Sequence, residues 1–175
     1  YHAAIGGSTN VQIWEVNYCG SVTINGGDVT ATGGDASSGI GGGPVSGGKI
    51  VINGGTVTAT GGNNAAGIGG GMQGNGGSVT INGGEVTATG GNQAAGIGSG
   101  TMGGRIQIQI NGGTVNATGG SQGAGIGDGM ECSNDGSITI TGGTVTATGG
   151  YQGTGIGGGA KTPGGKITIS GGTVT

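Results

Sequence analysis

Residues able to do acid–base, nucleophilic or metal chemistry are few and far apart in this 175-residue chain. The single histidine, His2, lies in a terminal segment, so a histidine-based triad or metal cluster has little to be built from. The carboxylates are Glu15, Asp28, Asp35, Glu85, Asp128, Glu131 and Asp135. Asp28 and Glu85 share a position in an internal repeat but fall two copies apart, with Thr56 between them. At strand spacing that is about 10 Å, a separation that suits an inverting glycosidase. Both read as solvated surface charge. Asp does not recur at the fixed positions that calcium-binding solenoids use. The glycine-rich blocks lead into neither Gly-Lys-Ser/Thr nor a helical pattern, which sets phosphate-binding loops aside. The expectation is a protein that is not an enzyme, with no catalytic residues, no bound metal and no cofactor.

The elements that carry these residues are written in glycine. Gly supplies 55 residues, charged residues are 6% and Phe is absent. Collagen needs Gly at every third position with abundant Pro; here Gly comes in pairs and triplets, with two Pro in all. Disordered chains are poor in β-branched residues and rich in charge, whereas Val, Ile and Thr are plentiful and evenly placed here. The core must be thin, filled by Val, Ile and Ala. Net charge is −3, and the four basic residues, Lys49, Arg105, Lys161 and Lys166, are scattered. Nucleic-acid binding needs a basic footprint, and no apolar run approaches a membrane span, so no nucleic acid and no membrane insertion are expected. No signal peptide is visible and the chain opens without Met, as a mature chain or an excised segment would.

Internal periodicity decides the fold class. Copies of one coil begin at Gly20, Gly48, Gly77, Gly104, Gly136 and Gly165, at intervals of 28, 29, 27, 32 and 29 residues. The length variation falls after the Gly-Ile-Gly block, apart from a two-residue insertion at Arg105-Ile106. Each coil offers three short strands between glycine corners: Val22-Thr-Ile24, Val29-Thr-Ala-Thr32, and a third centred on Gly39-Ile40. Alternation turns Val22, Ile24, Val29 and Ala31 inward and Thr23, Thr30 and Thr32 outward. Val29 should stack on Val57, Val86, Val115 and Val145, and Ile40 on Ile68, Ile97, Ile126 and Ile156. Ala31, Ala59, Ala88, Ala117 and Ala147 should line a narrow interior. Gly-Gly corners supply φ > 0, which a Cβ would penalise. The fold expected is all-β: a right-handed parallel β-solenoid (β-helix) of about six coils of 27–32 residues, three short strands per coil with Gly-Gly corners. The hand follows the general preference of parallel crossovers. Residues 1–175 read as one solenoid domain, with a non-repetitive insertion over residues 8–19 and incomplete first and last coils.

Two columns stand out on the surface. Asn25, Asn53, Asn82 and Asn111 occupy one corner, followed by Thr141 and Ser170. Asn tolerates turn conformations, but a stacked amide ladder running from coil to coil is the favoured reading; either role is structural. Thr30, Thr32, Thr58, Thr60, Thr87, Thr89, Thr118, Thr146 and Thr148 form an outward Thr-x-Thr array, interrupted by Asn116. Outward Thr is also what an exposed parallel strand ordinarily uses.

The pattern exemplified by Gly55-Thr56-Val57-Thr58-Ala59-Thr60-Gly61-Gly62 and Ala66-Gly67-Ile68-Gly69-Gly70-Gly71 covers nearly all of the chain from Gly20 onward. It resembles repeats in large secreted and cell-wall-anchored proteins of anaerobic Gram-positive bacteria. More loosely, it is similar to the parallel β-helix carbohydrate-binding domains of cellulolytic clostridia. The resemblance implies an extracellular or cell-surface location and a role in adhesion or scaffolding. The clostridial domains carry Asp beside the Gly-Ile element; here Gly39, Gly67, Gly96, Gly125 and Gly155 precede the Ile, so calcium-dependent sugar binding is not carried over. The Thr array resembles that of insect antifreeze solenoids, which makes ice binding an alternative. Surface glycans are a third candidate partner, with Trp14 and Tyr18 of the insertion as the contact.

The first-choice function is a structural or adhesive surface protein whose partner is itself. The chain ends partway through a coil at Gly171-Gly-Thr-Val-Thr175, and Tyr1-His-Ala-Ala-Ile5-Gly-Gly resembles Tyr151-Gln-Gly-Thr-Gly-Ile156-Gly-Gly. Two part-coils could complete one coil head to tail, hiding sheet ends that otherwise invite aggregation. Cys19 and Cys132 lie four coils apart in one chain, about 19 Å, too far for a disulfide, whose Cα atoms sit near about 5.5 Å. Across a head-to-tail junction they are two coils apart, about 10 Å, so an intermolecular bridge and two unpaired thiols are both open.

Overall fold

A computed structural model describes residues 3–6, 20–75, 77–133 and 136–175. Strands follow one another as β1 (Ile5–Gly6), then β2 (Ser21–Ile24), β3 (Asp28–Thr32) and β4 (Ile40–Gly41) in the first full turn. The second turn holds β5 (Lys49–Ile52), β6 (Thr56–Thr60) and β7 (Ile68–Gly69), and the third β8 (Ser78–Ile81), β9 (Glu85–Thr89) and β10 (Ile97–Gly98). The fourth has β11 (Gln107–Ile110), β12 (Thr114–Thr118) and β13 (Ile126–Gly127), and the fifth β14 (Ser137–Ile140), β15 (Thr144–Thr148) and β16 (Ile156–Gly157). β17 (Lys166–Ile169) and β18 (Thr173–Val174) complete the order, and no helix occurs among the described residues.

Every strand pairs in parallel with its equivalent one turn away, which makes three six-stranded sheets. The first runs β1-β4-β7-β10-β13-β16, the second β2-β5-β8-β11-β14-β17, and the third β3-β6-β9-β12-β15-β18. Alternation drives the second and third sheets: the β-branched residues fit a half-buried pleated surface. Their inward Ile, Val and Ala side chains form a single core from Ile24 through Val145. Val29, Val57, Val86, Val115 and Val145 are in register, as are Ile5, Ile40, Ile68, Ile97, Ile126 and Ile156. Ala31, Ala59, Ala88 and Ala117 are buried and Ala147 is half-buried.

Register alters the coil count taken from glycines. Ser21, Lys49, Ser78, Gln107, Ser137 and Lys166 are equivalent, so successive turns are 28, 29, 29, 30 and 29 residues by subtraction. Gly104 bridges Asn75 and Ser133 and is not the equivalent of Gly77. Ile106 takes that place, since its carbonyl accepts from Ser137 just as that of Gly77 accepts from Gln107. The Arg105-Ile106 insertion is therefore a substitution within an unchanged turn.

The two kinds of Gly-Gly corner also differ. In Asn-Gly-Gly corners the second glycine has positive φ, for example 93° at Gly55. In the corners that follow an Ala-Thr strand end, such as Thr60-Gly61-Gly62, neither glycine does. Gly61 and Gly62 are needed there because a Cβ would run into backbone carbonyls, that of Ala65 at Gly61 and that of Gly34 at Gly62. Close approach, rather than φ, selects glycine at that corner.

Candidate functional site

Three polar arrays grow out of this stacking, because equivalent side chains lie one ladder spacing apart. On the surface, Asn53 Nδ2 donates to Asn25 Oδ1 at 2.7 Å, Asn82 Nδ2 to Asn53 Oδ1 at 2.8 Å, and Asn111 Nδ2 to Asn82 Oδ1 at 2.8 Å. The column is closed at the other end by Thr141 Oγ1 and Gln109 Nε2, which donate to Asn111 Oδ1 at 3.0 and 3.1 Å. An amide carries both a donor and an acceptor, so the ladder has a direction: each rung donates toward Asn25.

The outward side of the third sheet is a threonine plane. Thr30, Thr58, Thr87, Asn116 and Thr146 are in register, as are Thr32, Thr60, Thr89, Thr118 and Thr148. A third column, read from the sequence only at Asp28, Thr56 and Glu85, runs on through Thr114, Thr144 and Thr173. These Thr are exposed except Thr60, which is half-buried. Asp28 and Glu85 are exposed members of the third column, with Thr56 between them.

The third array is buried, in the corner after the Ile-Gly strands. Gly42, Gly70, Ser99, Asp128 and Gly158 occupy one column, each amide donating to the next turn's Ile-Gly strand where that turn exists. Ser99 Oγ donates to Asp128 Oδ1 at 2.8 Å and accepts from the Gly129 amide at 3.3 Å. Cys132 Sγ lies 3.4 Å from Ser99 Oγ and donates to the Gly100 carbonyl at 3.0 Å. Asp128 is 3% exposed. Burial pushes its carboxyl above the ordinary carboxylate range, an effect the Ser99 hydrogen bond partly offsets. Burial also pushes the Cys132 thiol up; the Ser99 bond opposes this and the nearby Asp128 charge adds to it. A buried, protonated, hydrogen-bonded thiol is a poor nucleophile. Sequence reading missed this cluster: Asp128 looks like any isolated carboxylate until the register places it over Ser99 in a column otherwise made of glycine.

Other polar positions are simpler. Lys161 Nζ pairs with Glu131 at 2.7 Å on the surface, and the carboxylate raises the lysine pKa. Gln122 Nε2 donates to Gln152 Oε1 at 2.9 Å, a second amide contact between adjacent turns. Cys132 lies inside its corner rather than on an outward surface. Cys19, Trp14 and Tyr18 lie outside the described residues, so the proposed Cys19–Cys132 linkage and the aromatic contact have no place in this description.

Three parallel sheets, a thin Ile/Val/Ala core and side-chain columns repeated turn by turn define a parallel β-solenoid repeat protein. The family model for the β-helix repeat matches five tandem segments, residues 22–44, 50–72, 79–101, 108–130 and 138–160. The chain belongs to the β-helix repeat family. Comparison with curated proteins and with solved structures gave no match.

Proposed function

We propose that this β-helix repeat protein is a non-enzymatic structural or adhesive element that works outside the cell or on its surface, with its own copies as partner. The observation that carries the reading is the register: from β2 to β17 each outward position meets its equivalent in the next turn. Such a stack makes a stiff rod whose length scales with the number of turns. Sedimentation velocity over a wide concentration range tests the association. Species growing with concentration are the expected result; monomer throughout overturns it.

A second reading rests on the threonine plane. Three outward columns, of which Thr is the principal residue, repeat with strand-ladder spacing and offer a regular array of methyl and hydroxyl groups suited to ice. Asp28, Glu85 and Asn116 interrupt it. Thermal hysteresis measured on concentrated protein decides: a freezing-point gap supports ice binding, and its absence removes the reading.

A further inference from the structure

All four rungs of the asparagine ladder are Asn-Gly dipeptides: Asn25-Gly26, Asn53-Gly54, Asn82-Gly83 and Asn111-Gly112. Stacking dictates the glycine at the later rungs, whereas a Cβ on Gly26 would meet nothing within 4 Å. A Cβ on Gly83 would sit 3.0 Å from the Asn53 carbonyl oxygen, and one on Gly112 would sit 2.8 Å from that of Asn82. Asn-Gly is also the dipeptide in which the side-chain amide is most open to attack by the following backbone nitrogen, because no Cβ shields it. Among the described residues, the N–H groups of Gly26, Gly54, Gly83 and Gly112 donate to no backbone carbonyl. The fold thus places four unshielded amides in a row and leaves each attacking nitrogen unoccupied.

The ladder does not treat them alike. Asn53, Asn82 and Asn111 each donate Nδ2 to the rung before and accept at Oδ1 from the other side. Asn25 accepts from Asn53 and donates to no described residue. To swing its Cγ toward the glycine nitrogen, Asn25 gives up one ladder bond, whereas each interior rung gives up at least two. The products differ as well. An aspartate at position 25 still accepts from Asn53, now as a charge-assisted bond. An aspartate at 53, 82 or 111 loses its donor and sets a carboxylate oxygen against the amide oxygen it formerly bonded.

We propose that Asn25 is a site of spontaneous modification in the folded 175-residue chain, and that the ladder shields the three asparagines stacked on it. The Gly26 nitrogen bonds to Asn25 Cγ while the Cγ–Nδ2 bond breaks. Ammonia leaves with the side-chain nitrogen and the proton given up by Gly26. Water then opens the succinimide at either carbonyl, giving aspartate or isoaspartate; the net change is one water consumed and one ammonia released. The interior rungs react roughly fivefold to tenfold more slowly, the rate equivalent of one additional net hydrogen bond.

The test is incubation of the intact folded protein at mildly alkaline pH, then trypsin digestion and tandem mass spectrometry. Cleavage after Lys49 and Arg105 puts Asn25, the Asn53/Asn82 pair and Asn111 on separate peptides. A parallel incubation in denaturant supplies the rates without the ladder. Faster conversion at Asn25 than at the three interior rungs, with the difference abolished in denaturant, is the expected result. Equal folded-state rates at all four, or an interior rung leading, overturns the proposal. A second readout is thermal stability: Asn25→Asp retains the wild-type Tm while Asn82→Asp lowers it, and equal losses also overturn the proposal.

Discussion

In the asparagine ladder and in the Ser99–Asp128 contact, equivalent positions of successive turns are joined by side-chain hydrogen bonds of 2.7 to 2.8 Å. One column stands in water and the other is buried. The ladder runs through four turns with the same residue, while the buried contact occurs once, with different residues at its two ends. Chemistry explains the contrast. An amide offers a donor and an acceptor, so identical copies satisfy one another indefinitely. An ionised carboxylate only accepts, so it needs a hydroxyl donor on the neighbouring turn and cannot be repeated. Burial sharpens this, because an unpaired buried charge is far more costly than an unpaired surface amide.

The largest effect should come from forcing the buried column to repeat. Gly70 is the position stacked on Ser99 from the other side, and its Cβ would meet the Gly74 carbonyl oxygen no closer than 3.2 Å. Gly70→Asp asks one Ser99 hydroxyl to serve two carboxylates, and unfolding in denaturant should show a loss of about 3–5 kcal/mol. Gly70→Ser brings its own donor and should lose far less. Equal losses would mean that space, not hydrogen bonding, governs the column. Next in size, Ser99→Ala strands the buried Asp128 oxygen and should cost about 1–3 kcal/mol in the same measurement.

The titration of Asp128 sharpens the comparison further. Its folded pKa is raised from the ordinary 3.8, so the folded state holds the proton more tightly than the unfolded chain. The resulting stabilisation is fully present below the ordinary value and is lost as pH rises through the raised one. Differential scanning calorimetry should find wild-type Tm falling relative to Asp128→Asn as pH is raised from acid to neutral. A constant gap between the two proteins breaks the argument. The smallest effect belongs to the exposed ladder: Asn82→Ala removes two bonds that water replaces and should cost about 1 kcal/mol.

Much of the fold was legible in residue order because Val, Ile and Thr alternate with period two over β2, β3 and their copies. The Asn25, Asn53, Asn82 and Asn111 corner was legible for a related reason, since one residue type recurs at one interval. The fourth turn was misplaced because glycine does not hold the same corner in every turn: Gly77 fills it with a φ of 104°, and Ile106 fills it one turn later. The Ser99–Asp128–Cys132 cluster was hidden by its singularity. Residues that occur once carry no period, and only the register brings Ser99 and Asp128, 29 positions apart, into contact.

Uniform register also sets how the chain finds its structure. From β2 onward, pairings join residues only 28 to 30 positions apart between neighbouring turns, so each closes a loop of nearly constant entropy. The unfavourable step is the first pair of turns; every later turn adds to an existing template. A chain leaving the ribosome can therefore fold as it emerges, one turn at a time, without waiting for its far end.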